Sequence, residues 1–255
     1  MTSSSDPATA LITGASSGIG AATALALARR GTRVALVARR ADRLEELAGR
    51  ITAEGGTAVP IVADITDQVQ AAESVVKAVA ELGGLDAVVN SAGVMLLGPI
   101  HKAPVEEWDR MIAINIQGLL YVTHAALPHL LDAAQGPRGT ADVVNVSSEA
   151  GRVALANFGV YNLTKHGVGA FSESLRQEVG GRNVRVSLIE PGPVSTELFG
   201  HIRPEILANW DSGSQPLLQA EDVAETISFV VSRPSHVAVN EVLLRPEGAR
   251  SLQPQ

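Results

Sequence analysis

The chain of 255 residues contains no cysteine, which excludes disulfide bridges, a thiolate nucleophile, thiolate-held iron–sulfur clusters and cysteine zinc sites. Aromatic side chains make up only 3%, tyrosine is confined to positions 121 and 161, and lysine to 77, 102 and 165. Positive charge is also in short supply: 20 Lys and Arg stand against 27 Asp and Glu, for a net charge of -7. A surface that binds a nucleic-acid backbone needs clustered cations to release counterions, so no nucleic-acid partner is expected. No apolar run approaches the ~18 residues that span a bilayer. The opening segment, Met1 to Pro7, is a polar tail without the basic and apolar regions of a secretion signal. These absences predict a cytoplasmic protein with no membrane partner. The histidines at 101, 124, 129, 166, 201 and 236 offer no i,i+4 pair on a helix, so no metal site is expected.

What is present is a rhythm. Short β-branched or aliphatic runs recur at Ala8 to Thr13, Thr32 to Ala38, Thr57 to Ala63, Leu85 to Asn90, Ala141 to Ser147, Arg182 to Glu190 and Val237 to Leu244. Between them lie stretches with apolar residues at helical spacing, such as Leu44, Leu47 and Ile51 after Asp42, or Val69, Ala72, Val75, Val76 and Val79 after Asp67. Asp42 and Asp67 are read as N-caps. Strands buried on both faces, each followed by a helix, predict a Rossmann-like, doubly wound, seven-stranded parallel α/β sheet with helices on both faces. No linker or repeat interrupts the pattern, so residues 1–255 are read as one domain. It loosens only over 193–216, which is either a lid over a site or a plain surface connection.

The first strand runs into Thr13-Gly14-Ala15-Ser16-Ser17-Gly18-Ile19-Gly20, and a helix follows. Glycines at 14, 18 and 20 let the backbone turn tightly and approach a diphosphate seated at the positive end of that helix. The same residues spell Gly-x-Ser-x-Gly, the nucleophile elbow of a hydrolase, which makes Ser16 a rival catalytic serine; the third glycine has no role in that reading. At the end of the second strand, where a carboxylate would favour NAD, the sequence has Arg39 and Arg40. Two guanidiniums there suit a 2'-phosphate and point to NADP(H), the alternative being ion pairs with Asp42 or Glu45. Asp64, ending the third strand before Ile65, is placed either to accept from an adenine amino group or to cap a helix.

Tyr161 and Lys165 stand four apart near a helix start, on one face a turn apart. An ammonium beside a phenol favours phenolate, which would bring a pKa of ~10 toward the working range of a general acid–base. Upstream, Val144-Asn145-Val146-Ser147-Ser148 ends the fifth strand with a hydroxyl at the sheet edge that carries the glycine turn.

With these residues in order, the sequence resembles the short-chain dehydrogenase/reductase family from Thr13 to about Glu247. The matching segments are the Thr13 to Gly20 turn, Asp64, Asn90-Ser91-Ala92-Gly93, Asn115, Ser148, Tyr161 with Lys165, and Pro191-Gly192 through Thr196. The resemblance implies that Tyr161 is the general acid for carbonyl reduction or the base for alcohol oxidation, with Ser148 hydrogen-bonding the reacting oxygen. It implies that Lys165 lowers the tyrosine pKa and binds the nicotinamide ribose, that Asn115 holds a water in a proton relay, and that Thr196 binds the carboxamide. Cofactor contacts are implied for Gly14, Ser16, Ser17, Gly18, Ile19, Gly20, Arg39, Arg40, Asp64, Ile65, Asn90, Ala92, Gly93, Tyr161, Lys165, Pro191, Gly192, Val194 and Thr196. Ser91 replaces the family's usual second Asn. Ser17 stands where several NADP(H)-dependent members carry a basic residue, leaving phosphate recognition to Arg39 and Arg40.

The segments Met95 to Ile100, Phe171 to Val179 and Ile189 to Leu198 further resemble the branch that contains clavulanic acid dehydrogenase and 3-hydroxy acid dehydrogenases. A small carbonyl or alcohol substrate with a hydrophobic body is expected, lined by Met95, Leu96, Glu149, Val153, Ala154, Asn157, Phe199, His201 and Trp210. Family members commonly form tetramers or dimers through helices near 104–130 and 159–180, which implies a homo-oligomer. A non-catalytic NADP(H)-sensing protein on this fold is the remaining alternative, although such proteins lose the tyrosine or lysine kept here.

Overall fold

The computed structural model describes residues 8–207 and 217–248. Seven strands, β1 (Thr9–Thr13), β2 (Arg33–Ala38), β3 (Ala58–Val62), β4 (Ala87–Asn90), β5 (Ala141–Val146), β6 (Val184–Pro191) and β7 (Glu241–Leu244), form one sheet in the order β3-β2-β1-β4-β5-β6-β7. Every pairing is parallel, with Thr9 opposite Arg33 and Ala10 opposite Ala87 on the two flanks of β1. The chain builds outward from β1 to β3, then returns to β4 and builds the other way. That reversal opens a crevice at the carboxyl ends of β1 and β4, the place where such sheets bind ligands.

Helices α1 (Gly18–Arg29), α2 (Ala41–Ala53) and α8 (Ala220–Val231) cover one face. Helices α3 (Gln68–Leu82), α5 (Leu119–Ala133) and α6 (Gly159–Val179) cover the other. Alternation along the strands divides the core: Ala10 and Ile12 pack with Leu27, Leu44 and Ile227, whereas Leu11 packs with Val75, Val122 and Leu175. Helix α4 (Val105–Ile112) continues through a π-helical turn, Ala113–Gly118, into α5. The whole run Val105–Ala133 is long and apolar enough, by length and composition alone, to cross a membrane, which the interrupted sequence did not suggest. In this fold its Val122, Ala126 and Leu130 are buried in the core.

The structure corrects some local expectations. Asp67 caps α3, accepting from the amides of Val69 at 2.8 Å and Gln70 at 3.1 Å. Asp42 does not cap α2: Arg40 holds the N-cap position and Asp42 sits inside the first turn, where a carboxylate still favours the helix dipole. The last strand begins at Glu241 rather than Val237, because the Val237 carbonyl accepts from Arg185 at 2.8 Å instead of joining the ladder. Residues 193–216 are not featureless. They contain a 3₁₀ turn at Glu197–His201 and the short helix α7 (Pro204–Leu207).

Arg185 closes the sheet edge opposite the crevice. Its Nε donates to Asp142 Oδ1 at 2.8 Å and its Nη2 to Oδ2 at 3.0 Å, while the carbonyls of Val231, Arg233 and Pro234 take further N–H groups. Both side chains are buried, and Asp142 also accepts from Arg138 Nη2 at 2.6 Å, so loss of Arg185 leaves the carboxylate one cation, whereas loss of Asp142 leaves the buried Arg185 without its carboxylate. Asp142→Ala is expected to lower the free energy of urea unfolding by about 3–5 kcal/mol. Arg29→Ala, which loses only the solvent-exposed pair with Glu54, should leave the urea midpoint unchanged.

Candidate active site

The crevice begins at Gly14. Its φ of 67° lies in the left-handed region, and a Cβ there would fall 2.8 Å from the Ala92 backbone. Thr13 fixes this approach, its Oγ1 accepting from the amides of Ser91 at 3.1 Å and Ala92 at 3.2 Å. Ser17 occupies the N-cap of α1 in an extended conformation without a capping side-chain hydrogen bond. The amides of the first turn are therefore left for another acceptor beside a backbone cradle with no side chain in it. That arrangement fits a dinucleotide diphosphate.

The cleft of about 330 Å³ that opens here is lined by Gly14, Ser16, Ser17, Gly18, Ile19, Gly20, Arg39, Arg40, Asp64, Ile65, Ala92, Gly93, Pro191, Gly192 and Thr196, together with Ser148, Tyr161 and Lys165. Two of the expected cofactor residues lie outside that lining. Asn90 is buried within the sheet layer, its amide donating to Thr123 Oγ1 at 2.9 Å and Asn145 Oδ1 at 2.8 Å. Val194 packs into the core and bridges to Leu218. Asp64 turns back on its own chain, accepting from the Thr66 amide at 3.0 Å and hydroxyl at 2.8 Å, with Arg39 Nη1 3.8 Å away.

The arginines do not pair with Asp42 or Glu45. Arg40 donates to Ser16 Oγ at 3.0 Å and to the Ser16 carbonyl at 3.3 Å, and pairs with Glu197 at 2.9 Å. A guanidinium cannot take a proton from the hydroxyl it donates to, so Ser16 is not set up as a nucleophile.

Helix α6 carries Tyr161 and Lys165 on one buried face, with Lys165 Nζ 5.8 Å from the tyrosine ring centre and donating to the Val146 carbonyl at 3.0 Å. Ser148, at the end of β5, caps the 3₁₀ turn Glu149–Gly151 through the Ala150 amide at 3.1 Å and also hydrogen-bonds Tyr161. The electrostatics differ from the sequence expectation. Burial pushes the Tyr161 phenol up to about 12, opposed by the Ser148 hydrogen bond. The same burial pulls the Lys165 ammonium down to about 8. In this water-poor corner desolvation outweighs the attraction expected between ammonium and phenolate, and the resting phenol keeps its proton.

Asn115 sits in the π-helical turn. Its side chain is fully engaged, accepting from the Val94 amide at 2.8 Å and donating to the Val94 carbonyl at 2.9 Å and Thr164 Oγ1 at 3.2 Å. It staples the loop after β4 to α6.

Of the expected substrate residues, His201 lines the cleft. Met95 and Leu96 are buried behind Tyr161 with Met111 and Ile202, and half-buried Phe199 packs on the same cluster. Glu149 is buried and paired with Arg245 at 2.6 Å. Val153, Ala154 and Asn157 lie off the lining, Asn157 being exposed with a φ of 70°. Trp210 and the stretch 208–216 of the expected lid lie outside the described residues, as does the N-terminal tail. The sequence reading missed Arg110, Ile114 and Leu198, which line the cleft. Arg110 and Ile114 are four apart and share a helix face, but neither stands three or four residues from Asn115, so helical spacing from that residue did not point to them.

A sequence profile of the short chain dehydrogenase family matches residues 8–207. A glycine betaine reductase of Emericella nidulans is 40% identical over 240 residues, which cover 93% of this chain but only 18% of that relative. An uncharacterized oxidoreductase of Staphylococcus saprophyticus is 37% identical over 93% of this chain and 96% of its own length. Among solved structures, an alcohol dehydrogenase from the archaeon Thermococcus sibiricus, complexed with 5-hydroxy-NADP, superimposes with a TM-score of 0.84 at 28% identity, covering 95% of this chain and 97% of that one. A serine dehydrogenase complexed with NADP+ superimposes at 0.83 with 32% identity over 97% and 100% of the two chains. The chain belongs to the short-chain dehydrogenase/reductase family, and its fold is that of an oxidoreductase.

Burial of Lys165 carries a stability consequence. Between its folded pKa of about 8 and the ordinary value of 10.5, the unfolded chain binds a proton that the folded chain does not. Stability from this group therefore rises with pH across that window, and the cost of burying the charge is present in full below it. Lys165→Met should raise the thermal unfolding midpoint relative to wild type more at pH 7 than at pH 10, measured by circular dichroism.

Proposed function

We propose that the protein is an NADP(H)-dependent oxidoreductase that reduces an aldehyde or ketone with a hydrophobic body, or oxidises the corresponding alcohol. The observation that carries this reading is the gathering of Ser148, Tyr161 and Lys165 in the same cleft as the glycine turn, Arg39 and Arg40. A bound nicotinamide supplies the hydride to the carbonyl carbon in reduction and accepts it in the reverse direction. Tyr161, protonated at rest, donates its phenolic proton to the carbonyl oxygen as the C–H bond forms; in oxidation it takes that proton back. Ser148 orients the oxygen by hydrogen bonding. Lys165, with a pKa brought near neutrality, holds a ribose hydroxyl and stabilises the phenolate left after proton transfer. Asn115 acts through position, locking α6 to the loop of Ala92 and Gly93, and stands beside the path for a water that returns a proton.

Preference for the phosphorylated coenzyme rests on Arg39 and Arg40 at the end of β2, with no carboxylate at that strand end. The relatives speak for both forms: two solved structures above carry NADP or its derivative, and a Brucella melitensis 3-ketoacyl-(acyl-carrier-protein) reductase at 27% identity is complexed with NADH. Thr196, Pro191 and Gly192 would complete the nicotinamide end. The resemblance to the branch of clavulanic acid dehydrogenase and 3-hydroxy acid dehydrogenases bears on architecture more than on substrate. Exposed Val105 and Ile112 on α4 and Leu163 on α6 favour a homo-oligomer, a tetramer or a dimer, built on those helices in the cytoplasm.

NADPH should raise the thermal midpoint more than NADH at equal concentration, and Arg39→Ala should reduce the difference; equal shifts in the wild type would refute the preference. Tyr161→Phe should retain NADPH binding while turnover falls about 10²–10⁴-fold. Screening aldehydes and ketones for NADPH oxidation by absorbance supplies the substrate. Full turnover by the Phe variant removes Tyr161 from proton transfer.

A further inference from the structure

We propose that Glu197 sets coenzyme preference by holding Arg40 in a latch across the mouth of the cleft, from which a ligand phosphate must displace it. The inference rests on the reading of this cleft as an NADP(H) site.

Arg40 follows β2, and Glu197 lies on the turn after β6. Three strands, β1, β4 and β5, separate β2 from β6 in the sheet. At ~4.8 Å per strand spacing, the two strand ends are about 19 Å apart. Contact between residues that follow them requires both segments to reach over the crevice, and both residues line it. They meet with Arg40 Nη1 2.9 Å from Glu197 Oε2. The pair stands on the glycine turn: Arg40 donates to Ser16 Oγ from Nε at 3.2 Å and from Nη2 at 3.0 Å, and Glu197 hydrogen-bonds Ser17. Arg40 holds Glu197 well ionised.

A phosphate approaching the end of β2 competes with Glu197 for Arg40. The pair is half-exposed, at 42% and 53% side-chain accessibility, so it is weak enough to exchange. Binding a 2'-phosphate thus replaces one ion pair by another, whereas binding a coenzyme without that phosphate leaves Arg40 with its carboxylate. Glu197 therefore moderates the preference that Arg39 and Arg40 create. Removing its charge frees Arg40 for the phosphate.

The test is a titration of NADPH and NADH into wild type, Glu197→Gln, Arg40→Ala and the double variant, followed by quenching of protein fluorescence at several salt concentrations. Thermal unfolding checks that each variant folds. Glu197→Gln should tighten NADPH about two- to five-fold, the range of an exposed ion pair, and change NADH by less. NADPH affinity should fall more steeply with salt in Glu197→Gln than in wild type, because the variant forms a new ion pair rather than exchanging one. In the Arg40→Ala background the Gln substitution should give no gain. Unchanged or weaker NADPH binding by Glu197→Gln overturns the latch, as does equal tightening of both coenzymes. A gain that survives without Arg40 also overturns it, since Glu197 would then act on the phosphate directly. Failure of the wild type to bind either coenzyme overturns the functional reading itself, and the latch with it.

Discussion

No side chain fits between Gly14 and the backbone of Ala92, and the rest of the site depends on that closeness. It joins the ends of β1 and β4 at the point where the strand order reverses, and Thr13 holds the join through two amides. With the turn tied down, α1 starts at the crevice with its first amides uncommitted, and the loop after β4 runs beside α6. Asn115 then binds both backbone groups of Val94, so cofactor cradle and tyrosine helix are fixed to each other. The glycine is a geometric condition on two strands as much as a device for approaching phosphate.

Burial does opposite things at the two edges of the sheet. Beneath it, Asp142 is enclosed with Arg185 and Arg138, which together donate three hydrogen bonds to its carboxylate. Above it, Tyr161 and Lys165 are enclosed without such a partner, and each is driven toward its neutral form. The first arrangement stabilises a fixed structure. The second keeps the phenol protonated for donation and brings Lys165 nearer a change of protonation, which stability alone would not select.

The five inner strands were legible because strands buried on both faces make aliphatic runs that little else in a chain of 3% aromatics imitates, and the partly buried edge strands β3 and β7 because they keep short aliphatic runs of their own. Tyr161, Lys165 and Ser148 were legible because four-residue spacing and a strand end determine where side chains point. Partners were not. Arg40 meets Glu197 across 157 positions, and Arg39 lies near Asp64 rather than the nearby acids, because loops over a crevice carry no period. The substrate wall was misread for a related reason. Met95 and Leu96 are apolar whether they line a cavity or back the tyrosine, and only the packing of Met111 and Ile202 on them decides for the core. Asp42 and Asp67 looked alike as caps, yet α2 starts one residue before the first of them.

The π-helical turn at Ala113–Gly118 gives the long helix two independent faces. One residue more in a turn rotates everything upstream by about 100° relative to everything downstream. Downstream, α5 lays Val122, Ala126 and Leu130 on the sheet; upstream, Met111 enters the tyrosine cluster while Arg110 faces the cleft, as does Ile114 within the turn. Gly118 lets the widened turn seat against Ile65, whose side chain would lie 2.7 Å from any added Cβ. Helix register is thus a coordinate along which this scaffold changes what it shows a ligand. Losing one residue here would re-aim the cleft wall and the tyrosine cluster while α5 kept its face on the sheet, so related chains can diverge in specificity by an indel in a helix as well as by exchanges in their loops.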